Sequence, residues 1–85
     1  MNKFRYVLYN EDGTEKVLFE SKEFVDFTDA VKEYKRVLME LAKEYDLEDY
    51  NNPIELQFLK EEDGNWYFHS TAIDVLLYED RKSVV

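Results

Sequence analysis

Two segments near the start of the chain alternate between side chains that suit the two faces of a β-strand. Their sequences are FRYVLY at residues 4–9 and KVLF at residues 16–19, and Asn10-Glu11-Asp12-Gly13-Thr14 lies between them. Asp-Gly between two such segments is a strong turn sequence, because glycine adopts the backbone angles that tight turns require. The pattern predicts a β-hairpin.

The register of this hairpin depends on the length of its turn. A two-residue turn gives one face an apolar set, consisting of Phe4, Tyr6, Leu8, Val17 and Phe19. A three-residue loop, with Gly13 in the left-handed region and a bulge after it, groups the same first three residues with Lys16, Leu18 and Glu20. We prefer the two-residue turn, because it separates apolar from polar side chains better. In both registers the second face keeps an apolar strip, which consists of Val7 and Tyr9 with Leu18 for the two-residue turn, or with Val17 and Phe19 for the three-residue loop.

A long helical repeat follows the first hairpin. Its apolar positions are Phe27, Val31, Tyr34, Leu38, Leu41 and Tyr45, widened by Ala30, Val37 and Ala42. Steps of three and four residues predict an amphipathic helix whose apolar stripe packs on the sheet. We expect it to begin near Asp26 or Thr28, with Asp26 and Asp29 as a capping pair, and to end around Tyr45 to Leu47.

A second hairpin is predicted after Pro53. Residues 54–58 alternate, residues 66–69 are largely aromatic, and Glu61-Glu62-Asp63-Gly64-Asn65 resembles the first turn sequence. We expect a three-residue loop, Glu62-Asp63-Gly64, which groups Ile54, Leu56 and Phe58 with Trp66 and Phe68 on one face. Residues 71–80 can extend the strand or form a short helix capped by Ser70 or Thr71, and we prefer the helix.

These elements predict an α+β fold of ββαββ order. It is a two-layer sandwich, with a four-stranded, mainly antiparallel sheet, one long helix on one face and a short C-terminal helix. The length of 85 residues suits a single domain spanning residues 1–85, of which Arg81–Val85 are expected to fray. One helix covers only one face of the sheet. Apolar residues on the other face therefore need a dimer, a partner or the C-terminal segment to cover them.

Composition argues against several functional classes. The chain has no cysteine, and His69 is its one histidine, so thiolate chemistry and the usual zinc ligand sets are absent. Gly13 and Gly64 are the two glycines, and the glycine-rich phosphate-binding motifs are absent. We expect neither an enzyme nor a cofactor or metal site. The sequence contains no run of about 18 apolar residues, and we expect a cytoplasmic protein.

Charge is the most informative remaining feature. Twenty Asp and Glu against eleven Lys and Arg give a net charge of −9. Residues 43–85 alone hold eleven acids and four bases. Like charges repel, so naked nucleic acid and anionic membranes are poor partners, and a basic protein is favoured.

The second half of the chain therefore supplies the candidate partner-binding residues. They are Glu44, Asp46, Glu48, Asp49, Tyr50, Glu55, Glu61, Glu62, Asp63 and Tyr67. Acidic patches steer association, and tyrosines are common anchors of protein interfaces. Carboxylates along strands and loops can also stand in for the phosphates of a nucleic acid, so we expect docking on a nucleic-acid-processing enzyme.

In size, acidity and lack of cysteine the chain resembles the small inhibitors that bacteriophages use against host restriction or CRISPR nucleases. The resemblance implies a nucleic-acid mimic and carries over no site residues. The alternative is a small homo-oligomeric assembly module, which buries its apolar sheet face, around Val7, Tyr9 and Leu18, in a homodimer or on a partner.

Overall fold

The computed structural model of the chain describes residues 2–47 and 53–79. Its elements follow the predicted order and confirm the α+β class. They are β1 (Phe4–Tyr9), β2 (Glu15–Glu20), α1 (Phe27–Glu44), β3 (Ile54–Lys60), β4 (Asn65–Thr71) and α2 (Ala72–Asp74), which continues into a π-helical turn at Val75–Glu79. The preferred helix at the end of the chain is therefore confirmed for its described part, with Thr71 as its N-cap. Arg81–Val85, which we expected to fray, lie outside the described residues.

The four strands form one antiparallel sheet in the order β2-β1-β3-β4. One face packs against α1, and we call it the helix-side face; it carries Phe4, Tyr6, Leu8, Phe19, Ile54, Leu56 and Phe58. Because side chains alternate along a strand, the other face is made by the intervening residues. We call it the open face; it carries Arg5, Val7, Tyr9, Glu15, Val17, Glu20, Glu55, Gln57, Leu59, Trp66 and Phe68.

The core lies between the helix-side face and α1. The predicted apolar stripe supplies the buried residues of the helix, which are Ala30, Tyr34, Val37, Leu38 and Leu41. Phe4 is fully buried, and its ring stacks on Phe19 at 5.7 Å. The hydroxyl of buried Tyr6 donates to the main-chain carbonyl of Tyr34 at 2.6 Å, which ties the sheet to the helix. Burial of each large apolar side chain contributes about 1.5–3 kcal/mol.

Helix α1 starts at a side-chain cap and ends close to the predicted position. Asp26 is the N-cap, and its carboxylate accepts a hydrogen bond from the N–H of Thr28 at 2.9 Å. Such a cap satisfies one of the N–H groups that have no partner within the helix. The ring of Phe27 at the start of α1 lies 5.5 Å from that of Phe58 in β3. The helix therefore begins near the end of β3.

The turn of the first hairpin is longer than we preferred. The N–H of Asn10 donates to the carbonyl of Thr14 at 2.8 Å, which closes a three-residue loop, and Gly13 has a φ of 86°. The two-residue turn is therefore wrong. Glycine suits this position because other L-residues meet their own side chain in the left-handed region.

A β-bulge then changes the register of the same hairpin. Leu8 pairs with Lys16 beside the loop, whereas Tyr6 pairs with Phe19, so Leu18 is an extra residue between them. Beyond the bulge the register is the one that a two-residue turn would have given. Leu18 packs against the core. With the two-residue turn we had predicted that Leu18 would join Val7 and Tyr9 on the open face, and this prediction is wrong.

The second hairpin has a four-residue turn, Glu61 to Gly64, in place of the predicted three-residue loop. The N–H of Gly64 donates to the carbonyl of Lys60 at 2.8 Å. The extra loop residue shifts the register by one, which moves side chains to the opposite face. Trp66 and Phe68 pair with Leu59 and Gln57 and lie on the open face, so their predicted grouping with Ile54, Leu56 and Phe58 is wrong.

His69 takes the place on the helix-side face that we had assigned to these aromatics. It is the extra residue of a second bulge, because Gln57 pairs with Phe68 and Leu56 with Ser70. Its ring lies 5.1 Å from that of Phe58 and 6.0 Å from that of Tyr34. The one histidine of the chain thus packs beside the core aromatics.

Candidate protein-binding surface

The surface of α1 is electrically balanced. Its acids are Asp29, Glu33, Glu40 and Glu44, and its bases are Lys32, Lys35, Arg36 and Lys43. Glu33 pairs with Arg36, and Glu40 with Lys43, one helical turn apart. The four strands are balanced as well, with three acids (Glu15, Glu20, Glu55) and three bases (Arg5, Lys16, Lys60), so the net charge of −9 resides outside both α1 and the strands.

The described acids among the candidate residues fall into separate groups. Glu44 ends α1 and lines a groove against Leu18 and Phe19 of β2. The start of α1 lies near Phe58, close to the turn that carries Glu61, Glu62 and Asp63. The 18 residues of α1 separate these two groups by roughly 27 Å, at 1.5 Å per residue. The structure does not bring the candidates together in one patch.

Three of the candidates, Glu48, Asp49 and Tyr50, lie outside the described residues. Asp46 is exposed just after α1, and Glu61 and Glu62 are exposed in the β3–β4 turn. These carboxylates therefore lie at the surface of the protein.

Asp63 and Tyr67 form a local contact at the start of β4. One carboxylate oxygen of Asp63 accepts from the N–H of Asn65 at 2.9 Å, and the other accepts from the Tyr67 hydroxyl at 2.5 Å. The Tyr67 hydroxyl, with the Asn65 N–H second, lowers the pKa of Asp63, and the carboxylate in turn raises the pKa of Tyr67. The contact stabilises the turn and fixes the Tyr67 ring, which is 47% exposed, at the edge of the sheet.

Glu55 belongs to a polar network on the open face. Gln57 is only 5% exposed; its amide oxygen accepts from Nε of Arg5 at 2.8 Å, and its amide nitrogen donates to Glu55 at 2.8 Å. The Tyr9 hydroxyl accepts from the same nitrogen at 3.0 Å and donates to Glu55 at 3.2 Å. Burial, followed by the nearby Glu55 charge, raises the pKa of Tyr9.

The same network positions Trp66. The guanidinium carbon of Arg5 lies 4.5 Å from the centroid of the Trp66 ring, a cation–π contact. Our sequence predictions did not include Arg5, Gln57 or Trp66 among the binding residues. One feature of the sequence could have indicated them, because Arg5 and Gln57 alternate with apolar residues on two strands. The same alternation is found on any strand with one solvent-facing side, so it does not distinguish a binding surface.

Apolar side chains occupy the rest of the open face. Val7 is fully buried beneath its neighbours, whereas Phe68 is 59% and Val17 44% exposed. Glu15 and Glu20 lie on the β2 side of this face, opposite the aromatic β4 side. Aromatic anchors and carboxylates on the same face suit contact with a protein surface, since they combine apolar area with electrostatic selectivity.

A groove of about 370 Å³ lies on the other side of the sheet, between β2 and α1. Its apolar floor is formed by Leu18, Phe19, Val37 and Leu41, and its charged rim by Arg36, Glu40 and Glu44. The groove is open to solvent and carries both signs of charge, so it lacks the enclosed polar chemistry of a catalytic pocket.

Within residues 2–47 and 53–79, no cluster of three or more metal-ligating side chains occurs. No helix in this described part of the chain has both the length and the apolar character needed to cross a membrane. No protein-family model, curated protein or solved structure matches the chain.

Proposed function

We propose that the chain is a non-catalytic protein-binding module that docks on a basic surface of a partner protein. The observation that carries the proposal is the location of the charge: α1 is balanced, the four strands are balanced too, and the excess of carboxylates lies outside both. Three of these carboxylates, Glu61, Glu62 and Asp63, form the turn that leads into β4, which carries half-buried Trp66 and exposed Phe68. Long-range attraction then brings a basic partner to the surface that holds the aromatic anchors.

The open face is suited to contact because its side chains are already held in place. Arg5 is fixed between Gln57 and the ring of Trp66, and Gln57 is bonded to Tyr9 and Glu55. Side chains that are ordered before binding lose less conformational entropy when a partner arrives. Trp66 is therefore the anchor that we expect to contribute most to affinity.

The separated acidic groups favour an extended basic target. Carboxylates at the end of α1 and in the β3–β4 turn are roughly 27 Å apart along the helix, at 1.5 Å per residue. A basic groove that accommodates the backbone phosphates of a nucleic acid presents positive charge over such a length. We therefore propose a nucleic-acid-processing enzyme as the class of partner and inhibition by mimicry as the mode of action.

Charge reversal tests this function. The variant Glu61→Lys/Glu62→Lys is compared with Glu33→Lys/Glu40→Lys, which makes the same change in net charge on the balanced surface of α1. We expect the first pair to reduce capture of a basic protein from lysate about tenfold, and the α1 pair to reduce it by less than about twofold. Circular dichroism and thermal unfolding check that both variants fold.

A second pair of variants tests the aromatic anchors. Trp66→Ala and Phe68→Ala are expected to speed dissociation of the captured partner while leaving its association rate nearly unchanged. Val7→Glu is unsuitable for this purpose, because Val7 is fully buried and a buried charge would unfold the sheet.

The charge-reversal variants have two outcomes that count against the proposal. Equal loss of capture in both variants would contradict the placement of the binding acids in the β3–β4 turn. No loss of capture in either variant would contradict the proposed function.

A further inference from the structure

The two outer strands of the sheet differ in how they are protected against pairing with another strand. β2 carries Glu15, Lys16 and Glu20 and is interrupted by the bulge at Leu18. Charges and bulges of this kind prevent edge-to-edge association. β4 has the sequence NWYFHST, without lysine, arginine, acid or proline. In a chain of net charge −9, this outer strand is thus left without its usual protection.

The register shows which main-chain groups of β4 point away from the sheet. The main-chain N–H of Leu59 donates to the carbonyl of Lys3, and the N–H of Tyr9 donates to the carbonyl of Pro53. Both bonds join an odd-numbered residue of the β3 segment to the β1 segment. Since hydrogen-bonding direction alternates along a strand, the odd-numbered residues of β3 bond towards β1. The even-numbered residues of β3 therefore bond towards β4, and among them Phe58 pairs with Tyr67. The N–H and C=O groups of Trp66 and Phe68 consequently point outward, and no described segment pairs with them.

We propose that β4 of one copy pairs antiparallel with β4 of a second copy, with Tyr67 at the two-fold axis. The outward N–H and C=O of Trp66 then bond with the C=O and N–H of Phe68 in the second copy. By the two-fold symmetry, Phe68 of the first copy forms the same two bonds with Trp66 of the second. The outward groups of Trp66 and Phe68 in the two copies thus satisfy one another. The sheets of the two copies join into one continuous sheet whose open faces lie on the same side.

The side chains of β4 complement themselves in this register. Trp66 lies opposite Phe68 of the second copy on the joined open face, which gives two aromatic cross-strand pairs. Tyr67 lies opposite Tyr67 of the second copy on the other face. Phe68 and Tyr67, 59% and 47% exposed in the single chain, are the residues that this pairing covers.

The sequence of β4 suits a second copy of the same strand as the occupant of this edge. A copy of β4 places no Asp, Glu, Lys or Arg against the strand, and the acidic turn at Glu61 to Asp63 lies outside the central pairs formed by Trp66, Tyr67 and Phe68. The second bulge, at His69, restricts regular outward pairing to Trp66 and Phe68. A longer foreign strand would therefore gain no more hydrogen bonds along this stretch than a second copy does.

The overall charge of each copy gives the pairing a distinctive salt dependence. Two chains of net charge −9 repel at long range, and salt screens this repulsion. The dimer is therefore expected to strengthen as salt increases. Binding to a basic partner weakens under the same change, so the failure of either proposal is distinguishable from the failure of the other.

The test compares Phe68→Pro with Phe68→Ala by light scattering and sedimentation equilibrium at low and high salt. Both variants lose the ring, but only the proline variant loses the outward N–H at residue 68. Since each copy supplies one such N–H, the dimer loses two intermolecular hydrogen bonds. Proline is compatible with an outer strand when its nitrogen faces solvent. We expect the dissociation constant of the dimer to be at least about tenfold higher for Phe68→Pro than for Phe68→Ala.

A second variant covers the case in which Phe68→Pro does not fold. An ester in place of the amide at residue 68 removes the N–H and keeps the phenylalanine ring, and it too is expected to weaken the dimer. A wild-type chain that stays monomeric at millimolar concentration and high salt would overturn the proposal, and so would a dimer equally stable in the proline, ester and alanine variants. Such a dimer would use another surface.

Discussion

Gln57 allows the polar network of the open face to be tested by a single substitution. Methionine has nearly the volume of glutamine but cannot replace the hydrogen bonds of its amide. Gln57→Met therefore removes the bonds to Arg5, Glu55 and Tyr9 without opening a large cavity. Arg5 keeps its distant pairing with Glu15, and Glu55 keeps the bond from Tyr9.

The magnitude follows from the partners of the amide. Two of the lost bonds involve a charged group, and such bonds contribute about 1.5–3 kcal/mol each when buried. Glu55 and Arg5 are partly exposed and recover some solvation. We therefore expect the free energy of unfolding to fall by about 2–3 kcal/mol, which lowers Tm by roughly 8–24 °C for a chain of this size.

Urea and thermal unfolding followed by circular dichroism measure this change. Lys16→Met is the matched control, because it places methionine at an exposed position of the same sheet, and it should change stability by less than about 0.5 kcal/mol. A Gln57→Met chain within about 0.5 kcal/mol of the wild type would refute the argument that the amide network stabilises the open face.

Three further predictions concern the fold. Tyr67→Phe should raise the pKa of Asp63 towards its ordinary value of 3.8, as measured by carboxylate NMR titration. In the wild type the folded-state pKa of Asp63 is lowered, so ionised Asp63 stabilises the fold above the unfolded-state pKa. This contribution to stability is lost as the pH falls through the lower folded-state pKa. Tyr6→Phe should lower the free energy of unfolding by about 0.5–1.5 kcal/mol in urea titrations, since it removes the bond to Tyr34. Gly64→Ala should lower it by about 1–2 kcal/mol by the same measurement, because the φ of 71° is strained for alanine although no atom lies within 4 Å of the added carbon.

The order and type of the elements could be predicted because each has its own periodicity. The apolar stripe placed α1 close to its observed bounds, Phe27–Glu44. The two hairpins followed from the Asp-Gly turn sequences around Gly13 and Gly64. These features are local in the sequence, and local patterns carry most of the information about where helices and turns lie.

The registers could not be predicted because they depend on turn lengths and on a bulge in each hairpin. Leu18 and His69 each add one residue to a strand, so the alternation of faces before the bulge differs from that after it. A simple pattern of apolar and polar positions does not show where the extra residue falls. Trp66 and Phe68 were assigned to the wrong face for a different reason, because the turn before them has four residues and not the predicted three.

The candidate binding surface depended on contacts between distant parts of the chain. Gln57 is polar and alternates with apolar neighbours, which is the pattern of a solvent-facing residue, yet Arg5, 52 positions away, helps to bury it. The exposure of Glu61 and Glu62 was predictable from composition alone. Their separation from Glu44 was not, because it depends on the direction in which α1 crosses the sheet.

The most direct test of the proposed binding function is the association rate of the captured partner, purified and measured at increasing ionic strength. The Debye length falls from about 10 Å at 0.1 M salt to about 4–5 Å at 0.5 M, which screens attraction between the carboxylates and a basic surface. We predict that the association rate falls about tenfold or more over this range for the wild type and much less for Glu61→Lys/Glu62→Lys. A rate that does not change with salt, or that changes equally in both chains, would contradict the account.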